Sequence, residues 1–377
     1  MSENRKYFTR RDYLKLLVMT GTAATLSACT GQQIPTKNPV PASVQSTQLP
    51  SPTFPPVPTS VSNEKPANTP TIVPQASPTN PAPTKVPVST PQPTAAQATT
   101  AYIGVARGPD PARITRAAIA ALGGINQFVK NGNDVVIKPN ICIDSYDESR
   151  AYEFAATTNP VVVATLVQLC REAGAKKVRV MDMPFGGTQE SAYQRSGIKK
   201  AVEEAGGVME LMAKAKYKKI EIPDGKEIKE WIFYADLFTA DVIINVPIAK
   251  HHNLAKLTLG GKNLLGVISR PNEIHASIGQ RIADLISRVK PTLTVIDAVR
   301  IMVQGGPTGG SLSYVKKMDT VIASKDIVAA DAYATTLFDY KGVKMKGEDI
   351  AYIKAAADMG LGSLDLKSLK IEEISVA

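Results

Sequence analysis

The 377-residue chain has three histidines, and all three fall within 25 positions of one another: His251, His252 and His275. Lys250, Lys262, Asn245 and Asn263 lie in the same stretch, and a Gly260-Gly261 pair sits between them. Imidazole titrates near neutrality and is a common metal ligand, so it suits either acid–base work or metal binding. Lysine is costly to bury without an anionic partner, so clustered lysines imply negative charge on a substrate or cofactor. Adjacent glycines let backbone amides approach a ligand, and a helix N-terminus after them attracts anions. His251 and His252 would face opposite sides of a strand, or lie about 100° apart on a helix. One of the two is therefore expected to act. His252 is taken for that role with Lys250 and Lys262, as an exposed residue whose change to Ala leaves folding intact, and His251 stays open as the alternative.

Short apolar runs must position these groups, and several of them end in polar residues. Lys138 and Asn140 follow Val135–Ile137, and Asp182 follows Val178–Met181. Asn245 and Lys250 lie in and after Val242–Val246, Asp297 follows Leu293–Ile296, and Lys325 and Asp326 follow Thr320–Ala323. Ligands bind beyond the carboxyl ends of strands in open α/β sheets. Parallel strands would bring these ends to one edge and line a single cleft with Lys138, Asn140, Asp182, Asn245, Lys250, His252, Lys262, Asn263, His275 and Asp297. Within it, Lys138, Asn140, Asn245, Gly260, Gly261 and Asn263 are expected to hold a cofactor. His252, His275, Asp182 and Asp297 form the candidate metal set, since a histidine needs a partner for its second nitrogen. No glycine fingerprint follows the first strand, which disfavours a standard dinucleotide fold. A second glycine-rich loop, Gly305 to Gly310, could serve as a cover or anion nest.

Strands are expected at Tyr102–Arg107, at the runs above and at Ile371–Val376. Between them, helical periodicity covers Ala112–Leu122, Pro160–Gly174, Ser191–Gly206 with a break at Gly197, Ile278–Val289, Val328–Phe338 and Asp349–Met359. A hairpin is expected around Pro223-Asp224-Gly225. This alternation predicts an α/β domain with mostly parallel sheet flanked by helices, in one body or in two lobes.

The ends of the chain differ in character. Residues 1–29 read as a targeting segment. Thr9-Arg10-Arg11-Asp12-Tyr13-Leu14-Lys15 resembles the twin-arginine export signal, and Leu26-Ser27-Ala28-Cys29 resembles a lipoprotein signal-peptidase box. Between them, Leu16 to Ala28 falls short of the about 20 apolar residues that span a bilayer. The implied product begins at a lipidated Cys29, bearing acyl chains such as palmitate that anchor it to the outer face of the cell membrane. Residues 30–100, rich in Pro, Ser and Thr, cannot bury enough apolar surface to fold and read as a disordered linker. Fully extended, it would reach roughly 200 Å at about 3.1 Å per residue. Residues 101–377 are the folded domain. The chain's charge of +10 comes from 44 Lys+Arg and 34 Asp+Glu, and its first hundred residues hold 8 and 3 of these. The domain's own excess of +5 gives no argument for nucleic acid. Besides Cys29 only Cys142 and Cys170 occur, with no Cys-x-x-Cys, which speaks against a cysteine-ligated iron–sulfur cluster. A disulfide between the two and the oligomeric state are left open.

Taken as a set, Val-Ile-Lys-Pro-Asn, Thr-Asn-Pro, Asp-x-x-Ile-Asn-x-Pro-x-x-Lys-x-His, Gly-Lys-Asn-x-x-Gly, His275, Ile-Asp-Ala and Gly-Gly-Pro resemble the bacterial and archaeal family called domain of unknown function 362. The resemblance covers nearly all of 101–377 and implies no settled activity. Some members carry a ferredoxin-like iron–sulfur module, whose cysteine motifs this chain lacks. More distantly, the histidine followed by Ala and Gly-Gly-x-Lys is similar to a segment of the nickel-dependent lactate racemase family. There a histidine helps hold nickel in a pincer nucleotide; His252 with Ala255 is the better match, although the glycine pair is displaced by one residue. That resemblance implies a metal ion or a nucleotide-like cofactor. Two functions are thus expected: an exported enzyme with a bound metal or anionic cofactor, or a tethered extracytoplasmic binding protein for a small anionic ligand.

Overall fold

The structure, a computed structural model, describes residues 101–144, 146, 150–340 and 342–377. The targeting segment, the linker and Cys29 lie outside the described residues. Fourteen strands are assigned in chain order: β1 Ile103–Arg107, β2 Asp134–Pro139, β3 Lys177–Val180, β4 Val208–Met209, β5 Tyr217–Glu221, β6 Glu230–Tyr234, β7 Val242–Val246, β8 Ile248–His252, β9 Lys256–Thr258, β10 Leu293–Met302, β11 Val315–Ser324, β12 Asp339–Tyr340, β13 Val343–Lys344 and β14 Ile371–Ser375. Ten of them form one sheet with the path β14-β1-β11-β10-β7-β2-β3-β4, and β8 and β9 branch off β10. The described residues belong to one compact unit, so the two-lobe alternative does not hold.

The alternation of apolar residues fixes the two faces of this sheet. Val136, Ile243, Ile296 and Ile322 point into one core. Their neighbours Val135, Val242, Val295 and Val321 point into the other. Buried on both faces, β2 and β7 carry continuous Val/Ile runs, as central parallel strands must. Helices Pro111–Ala121 and Pro160–Glu172 cover the second face. Each starts with proline behind a capping side chain, Asp110 or Asn159, that accepts from the first-turn amides. Helices Ile278–Val289, Ile327–Thr335 and Ala351–Asp358 cover the first face. The expected break at Gly197 separates helices Gln189–Arg195 and Ile198–Glu204, with Gly197 at φ 73°. The hairpin expected around Pro223-Asp224-Gly225 is β5–β6.

The parallel sheet positions the site in two steps. β2 pairs in parallel with β3 on one side and β7 on the other, so the direction of winding reverses between β2 and β7. A crevice opens beyond the strand ends at such a point. Pro247 then interrupts β7, and the chain re-enters the sheet as β8, parallel to β10, before turning back as β9. That hairpin carries Lys250 and both adjacent histidines over the carboxyl ends of β2 and β3.

Not all the strands run one way. β11 is antiparallel to both β10 and β1. Lys325 and Asp326 therefore sit at the opposite edge from Lys138 and Asp182, contrary to the expected convergence. Asp326 caps helix Ile327–Thr335 instead, accepting from the Ala329 amide. Cys142 and Cys170 are both buried free thiols; Cys170 enters the core from helix Pro160–Glu172.

Gly104 in β1 marks how closely that strand is packed. A Cβ there would lie 2.3 Å from the Ala118 carbonyl oxygen and 2.9 Å from the Ala121 Cβ. Gly104→Val should cost about 2–3 kcal/mol through overpacking. The melting temperature measured by circular dichroism is expected to fall by about 5–10 °C.

Candidate functional site

Lys138 is the last side chain but one of β2, and it is 1% exposed. Its ammonium makes three hydrogen bonds: to Asp182 at 2.6 Å, to the Pro139 carbonyl at 2.8 Å and to Asn263 Oδ1 at 3.2 Å. Asp182, just past β3, spends its other oxygen on the Ile141 amide at 2.5 Å. Burial pushes the Lys138 ammonium down from its ordinary value, and the Asp182 charge opposes that. Asn263 ties the knot together. Its Oδ1 also accepts from Asn140 Nδ2, and its Nδ2 donates to Asn245 Oδ1, both at 2.9 Å. Asn245 in turn donates to the Gly260 carbonyl. Gly266 closes over this pair so tightly that a Cβ there would lie 1.8 Å from an Asp182 oxygen.

Lys250 is equally buried, but no carboxylate among the described residues meets it. Its ammonium donates to the Ala156 carbonyl at 2.6 Å, to Asn140 Oδ1 at 3.0 Å and to Cys142 Sγ at 3.4 Å. Lys262 has neither an ion pair nor a hydrogen bond among the described residues. Burial, then the charges of Lys250 and Lys138, pull its pKa down to about 8, while the Cys142 thiol opposes them. Still largely protonated at pH 7, it faces the same space as Lys250.

His252 is buried, 7% exposed, rather than an exposed group. Its Nδ1 accepts from the amides of Leu254 and Ala255, each at 3.1 Å, and so caps the β8–β9 turn. Burial foremost, then the charges of Lys262, His275 and Lys250, push its pKa down to about 3, so the ring is neutral. With Nδ1 accepting, the proton sits on Nε2. His275 lies beside it, ring centroids 6.0 Å apart, and its buried Nε2 has no hydrogen-bond partner. His251 points the other way, as alternation along a strand requires, and its Nδ1 accepts from the Gly306 amide at 3.1 Å. The glycine-rich loop thus docks on an imidazole and presents that amide to no anion.

These groups line one cavity of about 190 Å³ with Lys138, Asn140, Asp182, Asn263, His252 and Lys250 at its inner end and Lys262, His275 and Asn272 around it. Eight of the ten expected residues line it; Asn245 and Asp297 do not. Asn245 is wholly buried behind Asn263. Asp297 lies mid-strand in β10 with no exposure, and its oxygens accept from the Asn159 and Val299 amides at 2.7 and 3.0 Å. It cannot ligate a metal in the cavity. The Gly260-Gly261 amides are also taken. Both donate to the Asp331 carboxylate, at 2.6 and 2.9 Å, so this nest already holds an anion from within the chain. The helical turn behind it, Gly260–Asn263, is too short to add a dipole of its own.

The expected metal set fails on the same grounds. Asp182 is bonded to Lys138 and to an amide, Asp297 is elsewhere, and the His252 Nε2 lone pair is covered by its proton. Among the described residues no group of three His, Cys, Asp or Glu side chains comes together as a ligand set. These side chains, among the described residues, therefore do not form a ligand set for a bare metal ion. Cys142, Thr258 and Phe185 line the cavity without having been expected there, and Asp331 supports it from behind. Asp331 was legible in one respect: it is a lone acid in the apolar helix Ile327–Thr335, and such a group needs donors.

An α/β protein with a cavity rich in cationic donors is thus defined. Residues 135–336 match the family described as domain of unknown function (DUF362), and the chain belongs to that family. A thylakoid-associated protein of Synechocystis sp. is 26% identical over 239 residues, which cover 59% of this chain and 68% of that protein. The lactate racemase apoprotein of Thermoanaerobacterium thermosaccharolyticum is similar over 67% of this chain, with a TM-score of 0.38 and 12% identity. This chain spans 56% of that racemase chain.

The turn cap makes His252 testable. His252→Ala should destabilise the protein by about 1–2 kcal/mol, because two amides lose their acceptor. His252→Asn, whose Oδ1 can stand in for Nδ1, should recover most of that stability. Chemical denaturation of the three proteins checks this; equal stability of Ala and wild type would remove His252 from the turn.

Proposed function

We propose that the protein is an exported, lipid-tethered enzyme that binds a small anionic substrate in this cavity and moves a proton on it through Lys262. One observation carries the reading. Among the described residues, Lys250 and Lys262 bring two ammonium groups to one cavity with no carboxylate to neutralise either, and the acid that lines it, Asp182, is already paired with Lys138. A cation left so needs an anion from outside. A carboxylate or phosphate group would complete the site.

The roles follow from the bonds. Lys250 is immobile, its three protons fixed by Asn140, Cys142 and Ala156, so it supplies a positioned charge. Lys262 has free donors and a pKa close to physiological pH, which suits a group that takes and returns a proton. Neutral His252 offers its Nε2–H to an oxygen of the bound anion. His275 lines the same cavity beside His252. The Lys138–Asp182 pair is structural, since every donor on it is already used.

Export by the twin-arginine route and anchoring through Cys29 complete the proposal, and the signals in residues 1–29 support it. Arg10→Lys with Arg11→Lys should leave the protein in the cytoplasm, and Cys29→Ala should release it from the membrane, both read by fractionation and immunoblot. Unchanged fractionation of these variants would overturn the route and the anchor in turn.

The cavity itself is tested by titration calorimetry with inorganic phosphate and acetate across pH 6–10. Lys262 loses its charge as pH rises through about 8, so affinity should fall across that range and level off above it. Lys262→Met should bind weakly at every pH and lose the dependence. A wild-type affinity that is flat through pH 8, or a Lys262→Met protein that still binds normally, would overturn the reading. A substrate recovered unchanged after long incubation with the protein purified from its own host would favour the tethered binding protein instead.

A further inference from the structure

The cavity continues outward. A second, larger space of about 540 Å³ shares Met183, Phe185, Leu265, Pro271 and Asn272 with the inner one. We infer that this outer groove is the second half of one elongated site, and that the ligand is a linear organic acid carrying an apolar body and a second anionic group at its far end. The inference rests on the anion-binding reading of the inner cavity and adds what lies beyond the bound anion.

Three observations carry it. The shared wall is apolar, and Phe185 is 61% exposed upon it. An exposed phenyl ring flanked by Met183, Leu265 and Ile268 is surface that an apolar segment would remove from water. Behind it the Tyr217 hydroxyl is buried with no hydrogen-bond partner, held to its proton by burial and by nearby Asp182. It is a buried donor without an acceptor, on a residue whose ring lines the groove. Two cations, Lys214 and Arg270, line this outer space. Lys214 has no ion pair among the described residues. Arg270 bonds to Glu273 at 3.3 Å and lies over the Trp231 ring, 5.4 Å from its centroid. Its backbone is held at φ 55°, in the left-handed region that side chains larger than Asn avoid. An arginine kept where glycine or asparagine would be less strained points to a use for its charge. The two joined spaces thus share an apolar wall, with ammonium donors in the lining of one and Lys214 and Arg270 in the lining of the other. A compact inorganic anion fills only the first of them.

Calorimetry on the whole chain tests this with linear α,ω-dicarboxylates from succinate to dodecanedioate, the monocarboxylates of equal length, and inorganic phosphate. Affinity should rise with chain length and pass through an optimum. At that optimum the diacid should bind about fivefold more tightly than the monoacid, the margin expected of an ion pair at a surface. Lys214→Met with Arg270→Gln should erase that margin while shifting phosphate less than about twofold. Phe185→Ser should flatten the gain with length for both acid series. If phosphate and short acids bind but neither length nor a second carboxylate adds affinity, the outer groove is not part of the site and the inner reading stands. If no acid and no phosphate binds, both fall together.

Discussion

A lysine ammonium inside a protein must find something negative or a complete set of dipoles, and the Lys138–Asp182 pair meets that demand at the centre of this structure. Asp182 holds Lys138 on one side and the chain at Ile141 on the other. Asn263 fills the remaining donor and links the pair to Asn140 and Asn245. The ends of β2, β3 and β7 are thereby tied to the turn at Gly260. Gly266 can cover the pair only because it lacks a side chain. Asn140, Asn245 and Asn263 hang from this knot, and through Asn140 it also reaches Lys250.

The contrast with Lys250 and Lys262 gives the site its character. Three lysines of one chain enter one region, and among the described residues only the first meets a carboxylate. Lys250 is held by dipoles alone, and Lys262 by nothing the described residues supply. Burial then works on the whole group in one direction. It lowers the ammonium of Lys262 and keeps the His252 ring neutral. The same low-polarity surroundings that make an uncompensated charge expensive make an arriving anion strongly attracted.

Much of this was legible in the sequence, for reasons that differ by residue. Lys138, Asp182 and Lys250 were found because several apolar runs end in or lead to charged or amide residues, a set that parallel strands would gather at one edge. The opposite facing of His251 and His252 followed from strand geometry alone. The direction of β11 was not legible, because Val/Ile periodicity carries no sign, and that error placed Lys325 and Asp326 at the wrong edge. Asp297 looked like its neighbours because the pattern shows a strand end where β10 in fact runs on to Met302. The glycine pair misled for a third reason. An anion nest reads the same whether its anion is a ligand or Asp331, 70 residues further along the chain.

That internal anion bears on how the protein can discriminate. Backbone amides form a rigid mould, and a loop that cradles phosphate through them accepts one shape and charge. Here Asp331 has closed the mould from the inside, and recognition passes to ammonium and imidazole groups on side chains. Such groups weigh charge more than outline. A carboxylate and a phosphoryl group would then be rivals for the same seat, and the chain's preference between them would shift with a change of one lysine while the scaffold stayed as it is.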